Sequence, residues 1–143
     1  MNYDVEKVNY GASKPQRTDD PSLNLELNPL MFEPVLDFLA CPDPQGTHRM
    51  AYWSWGEKSA AHVVFCVHGL TRQGRDFDLL AQALVASAKA AGLPAIRVIC
   101  PDVVGRGKSD WLQDPMGYQF AQYAADMAVL LQSLNSEQII ERL

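Results

Sequence analysis

The sequence predicts an α/β fold with a mainly parallel sheet and flanking helices. Three observations carry that prediction. Two apolar, β-branched runs, His62 to Val67 and Ala95 to Cys100, have the length and composition of strands covered on both faces. Between them Phe77, Leu80, Leu84, Ala88 and Ala91 recur at helical spacing, the stripe of an amphipathic helix. A strand, a crossover helix and a second strand of this size form a right-handed unit in a parallel sheet, and a second helical stripe follows at Phe120, Tyr123, Met127, Leu130, Leu131 and Leu134.

The elements divide the chain into a polar arm and one domain. Residues 1–28 are polar and aperiodic, with Gly11, Pro15 and Pro21 scattered through them, and read as a flexible lead-in. The domain spans 29–143. Pro29 and Pro34 favour a strand or irregular structure over a helical turn at Phe32 to Leu39. Cys41 to Gly46 reads as a turn, because Pro42 and Pro44 fix φ and Gly46 permits positive φ. His48 to Trp55 alternates weakly and is rich in aromatics, which suits a strand closing at Gly56. The run from His62 ends at His68-Gly69, and the loop Leu70 to Arg75 leads into the first helix. Gly92 stops that helix in a left-handed conformation, and Pro94 prevents its resumption. Pro101 to Ser109 is a glycine-bearing loop after the next strand. The last helical stripe ends near Asn135, beyond which Ile139-Ile140 is open between a strand start and a final helical turn.

Composition narrows the function classes. One domain is expected for 143 residues, and folding at this length buries roughly 70% of the unfolded surface. Twelve Lys+Arg against 17 Asp+Glu give a net charge of −5, with no basic face to displace counterions from a nucleic acid. Cys41, Cys66 and Cys100 are odd in number and lack metal-site spacing, so neither a disulfide framework nor a zinc site is expected, and they read as small buried hydrophobes. Met1 to Tyr10 is too polar for a signal peptide, and the apolar run Val63 to Val67 falls far short of the ~20 residues that cross a bilayer. No membrane partner and a cytoplasmic location are the expectation.

Asp102-Val-Val-Gly105-Arg-Gly107-Lys108-Ser109 invites two nucleotide-site readings, and both fail. A phosphate-binding P-loop needs glycine at 102, where a carboxylate would repel the phosphate. A dinucleotide fingerprint needs a third glycine at 110, which is Asp110, and a helix opening directly from the loop. Asp102 suits instead a turn whose side chain accepts backbone amides, with Gly105 and Gly107 supplying φ values closed to other residues. Arg72, Gln73, Arg75 and Asp76 read as a solvated loop with a possible binding residue, Trp111 and Tyr118 as packing, and His48 and His62 as surface residues at strand starts.

Val63-Val-Phe-Cys-Val-His68-Gly69-Leu70 followed by Asp102-x-x-Gly105-x-Gly107-x-Ser109, with a helix between, resembles the N-terminal half of an α/β-hydrolase. The resemblance covers about residues 48 to 135. It implies that the Leu70 N–H is an oxyanion donor and that Gly69 admits substrate to the backbone. It also implies that His68 supports the loop rather than acting as base, since the family's catalytic histidine comes late in the chain. Asp102, Gly105, Gly107 and Ser109 then shape the site's floor. Amides fixed on a turn before charge develops suit that role. The implied chemistry is hydrolysis of an ester, amide or related bond in a small-molecule substrate, with no metal or organic cofactor.

The family's nucleophile sits in G-x-S-x-G, and no such motif occurs here. Gly11-Ala-Ser13-Lys-Pro15 and Gly107-Lys-Ser109-Asp-Trp111 lack the second glycine. Nucleophile, acid and late histidine are all missing, so no catalytic residue is assigned. The expectation is an incomplete α/β-hydrolase-type domain, truncated before its nucleophile and inactive alone. A non-catalytic binding or assembly module and a non-functional gene fragment are the alternatives. In the family the third strand pairs with the fourth and fifth, so residues 63–67 would form an exposed apolar edge, open to self-association or to a complementing chain.

Overall fold

The computed structural model of the chain describes residues 33–142. The polar arm over 1–28 lies outside the described residues. Four strands form one sheet in the order β1-β2-β4-β3, with β1 at Val35–Asp43, β2 at Gly46–Trp55, β3 at His62–Phe65 and β4 at Ile96–Pro101. The expected parallel unit is present at β3 and β4, where Val64 pairs with Val98. The sheet as a whole is mixed rather than mainly parallel, because β2 pairs antiparallel with β1 and with β4.

The segment expected to be a turn at Cys41 to Gly46 is mostly strand. β1 continues through Asp43, with Pro42 opposite Thr47, and only Pro44 and Gln45 make the connection. Pro42 is tolerated because β1 is an edge strand, whose outward backbone needs no ladder partner. β3 is shorter than the run that predicted it, although the Cys66 N–H still donates to the Ile99 carbonyl at 2.9 Å.

A helix covers each face. The first, α1, spans Asp78–Ala90 after a short 3-10 turn at Gly74–Phe77. Its buried residues are Ala81, Val85 and Ala88, and the first two pack with Trp55, Cys66, Val98 and Cys100. Leu80 of the predicted stripe is 48% exposed. Small side chains let the helix approach the sheet closely, so available volume selects the buried face over side-chain hydrophobicity. Gly92 takes a left-handed φ of +66°, and the Leu93 N–H returns to the Ala88 carbonyl, which caps the helix.

The second helix, α2, spans Phe120–Arg142 and does not end near Asn135. Leu130 and Leu134 pack with Cys41, Met50, Tyr52 and Ile99 on the opposite face of the sheet. Phe120, placed in the predicted stripe, is almost fully exposed. No helix among the described residues is long and apolar enough to cross a membrane.

Candidate active site

The end of β3 and the end of β4 meet through His68. Its ring is buried, with Nδ1 donating to the Gly69 carbonyl at 2.7 Å and Nε2 accepting the Val103 N–H at 3.0 Å. An accepting Nε2 fixes the proton on Nδ1. With both nitrogens engaged, the imidazole ties the His-Gly turn to the loop after β4.

Leu70 follows at the tip of that turn. Its carbonyl accepts from Arg106 Nε at 2.9 Å, while no acceptor for its N–H occurs among the described residues. Among the described residues no atom lies within 4 Å of where a Cβ on Gly69 would stand.

Asp102 organises the second turn and reaches further than a local turn would. Its Oδ1 accepts the Gly74 N–H at 2.7 Å, and its Oδ2 accepts the Lys108 N–H at 2.8 Å and the Trp53 indole N–H at 3.3 Å. One buried carboxylate thereby joins the start of the 3-10 turn, β2 and its own loop. Ser109 closes the same loop: its hydroxyl donates to the Asp102 carbonyl at 2.6 Å and accepts the Ala51 N–H at 2.8 Å. Gly107 has a φ of +51°, and a Cβ there would overlap the Asp102 carboxylate. Gly105, also left-handed, packs against the Tyr118 ring. Gly74 was not visible as a site residue in the sequence. A Cβ on it would approach the Cys100 carbonyl to 2.6 Å, a close contact set by residues distant in the chain.

Two cavities lie along the segment from Val67 to Asp76, and the first includes the Gly69-Leu70 turn. One, of about 530 Å³, is apolar, with Val67, Leu70, Phe120, Tyr123 and Met127 in its wall. The other, of about 360 Å³, is polar and is lined by Thr71, Arg72, Gln73, Asp76, Arg106 and Gly107. Arg106 belongs to both. Arg75, a neighbour in sequence, turns away to pair with Asp78 at 2.7 Å and to cover the Trp53 ring. Tyr118 packs, its hydroxyl accepting the Leu112 N–H at 2.9 Å, whereas Trp111 is 80% exposed and does not pack.

Of the two histidines read as surface residues, His62 is exposed and His48 is buried. His48 Nδ1 lies 2.8 Å from Asp43 Oδ2, and Nε2 lies 2.7 Å from Asp126 Oδ2. Burial alone would lower its pKa, but the hydrogen bonds to the two carboxylates outweigh burial and raise it. The hydrogen bond from His48 holds the Asp43 carboxyl below its ordinary value. Burial, together with the Asp126 charge and a hydrogen bond to it, pushes the Cys41 thiol up to about 12. Cys41, His48 and Asp126 present metal-ligand atoms within 4.8 Å of one another. The same side chains form the hydrogen bonds just described, which tie β1, β2 and α2 together.

Comparison with known proteins gives this geometry a family. No family model matches the chain. A 3-hydroxybutyrate-oligomer hydrolase from Cupriavidus necator is 48% identical over 106 residues, which is 74% of this chain and 33% of that protein. An α/β hydrolase from Novosphingobium aromaticivorans is 34% identical, with a TM-score of 0.52 over 71% of this chain and 32% of that structure. An epoxide hydrolase from Vigna radiata, 20% identical, has a TM-score of 0.59 over 73% of this chain and 30% of that structure, and shares the fold. The chain belongs to the α/β-hydrolase family. It spans about a third of the length of the relatives it matches.

Proposed function

We propose that this chain supplies the oxyanion-side turn of an ester hydrolase acting on short esters of hydroxy acids, the class to which the C. necator protein's oligomers belong. One observation carries the reading: the Leu70 N–H has no acceptor among the described residues, at the tip of a turn locked by His68 and Arg106. When a nucleophile adds to an ester carbonyl, the carbonyl oxygen becomes an anion. A donor already held in place stabilises that anion without reorganising. Asp102, Gly105, Gly107 and Ser109 support the neighbouring turn, and Gly69 leaves the approach open. The nucleophile and its base come from residues outside these 143, so the chain alone does not turn over substrate. Ester chemistry of this kind needs no metal or organic cofactor. A cytoplasmic setting belongs to the proposal and is supported by three free, buried cysteines.

The test joins residues 1–143 to the remaining two-thirds of the C. necator relative and assays p-nitrophenyl butyrate and the 3-hydroxybutyrate dimer. The fusion is expected to hydrolyse both, while the 143-residue chain stays at background. Leu70→Pro, which removes the N–H, should cost the fusion about 10²- to 10³-fold in kcat with its circular dichroism unchanged. Turnover by the chain alone, or a fusion indifferent to Leu70→Pro, refutes the proposal.

A further inference from the structure

We propose that the polar cavity beside Leu70 is a carboxylate subsite, in which Arg106 and Arg72 hold the free acid end of the ester substrate. The inference rests on the ester-hydrolase reading and deepens it. Arg106 is a half-buried cation without a counter-ion among the described residues. Arg49, Arg72 and Arg75, all more exposed, each sit on an aspartate, whereas no carboxylate pairs with Arg106 among the described residues. A partly desolvated charge left unpaired is unfavourable, and a ligand anion relieves that cost.

Its side chain is also held as a binding group needs to be. Nε donates to the Leu70 carbonyl at 2.9 Å, and Nη1 donates to the Val104 carbonyl at 2.8 Å and to the Tyr123 hydroxyl at 3.2 Å. The Tyr118 and Tyr123 rings lie 5.8 and 5.2 Å from the guanidinium carbon. Nη2 is left with no acceptor among the described residues. A planar guanidinium already fixed in orientation loses little entropy when a carboxylate docks on it.

The lining adds charge of the right sign. Arg72 and Arg106 stand against Asp76 alone, and Asp76 is taken by Arg72 Nε at 2.7 Å. The apolar cavity shares Arg106 with the polar one and has Leu70 in its wall. A substrate with an apolar body, a central ester and a terminal carboxylate fits this sequence of surfaces, and a neutral alkyl ester leaves Arg106 unpaired.

The experiment titrates the 143-residue chain with the 3-hydroxybutyrate dimer and with its methyl ester, following amide NMR shifts at Thr71 to Gln73 and Arg106 to Gly107. The acid should bind about tenfold tighter than the methyl ester or better. Arg106→Gln should bring that ratio to about one, and Arg106→Lys, which keeps the charge but loses the fork, should leave it in between. Arg72→Gln, on the surface and far less able to disturb folding, should lower it as well. Equal binding of acid and methyl ester, no saturable shift with the acid, or a ratio intact in both Arg106→Gln and Arg72→Gln overturns the proposal. Hydrolysis of p-nitrophenyl butyrate, which has no carboxylate, tests the ester-hydrolase reading separately.

Discussion

His48 sits between two carboxylates, and its hydrogen bonds reach residues 5 and 78 positions away. Gln122 adds a donor to the other oxygen of Asp126, at 2.8 Å. Breaking a buried charge pair by removing one partner leaves the other charge uncompensated, so His48→Leu should destabilise the fold by about 3 kcal/mol in urea unfolding. The pH dependence has two limbs. With its pKa raised above 6.5, His48 contributes fully below that value and loses its contribution as pH climbs through the folded-state pKa. With its pKa lowered below 3.8, Asp43 contributes above that value and loses its contribution as pH falls through the folded-state pKa. Urea midpoints for the natural chain should therefore fall as pH rises above about 6.5, and His48→Leu should flatten that fall. A variant with an unchanged slope contradicts the assignment. None of this was legible in the sequence, where His48 lies between Thr47 and Arg49 at a strand start and its cover comes from α2. The turns that carry Leu70 and Asp102 were legible, because strand-end punctuation marks them locally, while the oxyanion role of Leu70 was implied by resemblance alone.

The glycine-bearing loop after β4 shows how far local signals extend. Its glycines, Asp102 and Ser109 announced a turn, and the turn is present. The sequence did not disclose that Asp102 fastens three segments, because Gly74 and Trp53 come from elsewhere in the chain. Gly107→Ala forces a side chain into a left-handed conformation and into the Asp102 carboxylate, and should cost about 2 kcal/mol by chemical denaturation. Ser109→Ala leaves the Ala51 N–H buried without an acceptor and should cost about 1–3 kcal/mol. Stability within about half a kcal/mol of the natural chain in both variants would show that the loop is not a fixed support. The two helices were legible as helices but not in detail. Periodicity places large apolar residues on one side of α1, while the sheet accepts Ala81, Val85 and Ala88 instead.

At the scale of the whole molecule, the α/β class followed from two short β-branched runs with a helical stripe between them, although His62 of β3 is exposed and the rest of that strand only half-buried. The mixed sheet did not follow: antiparallel addition of β1 and β2 depends on pairing partners that alternation leaves open. β3 pairs with β4 alone among the described strands. Since the Cys66 N–H points to β4, strand alternation sends the Phe65 and Val67 amides to the other side. We propose that this edge drives association of the isolated chain. Light scattering should then show concentration-dependent oligomers, with hydrogen exchange at Phe65 and Val67 slowing as concentration rises, and Val67→Lys should weaken both. A monodisperse chain with fast exchange there contradicts the proposal.

The strand order also bears on how the chain emerges from the ribosome. β1 and β2 are complete by Trp55, yet the strand that belongs beside β2 ends at Pro101. At translation rates of roughly 5–20 residues per second, the nascent hairpin waits for seconds with one flank unsatisfied. Chains stalled within that interval should recruit a chaperone more strongly than chains stalled after Pro101, and ribosome-bound crosslinking would register the difference.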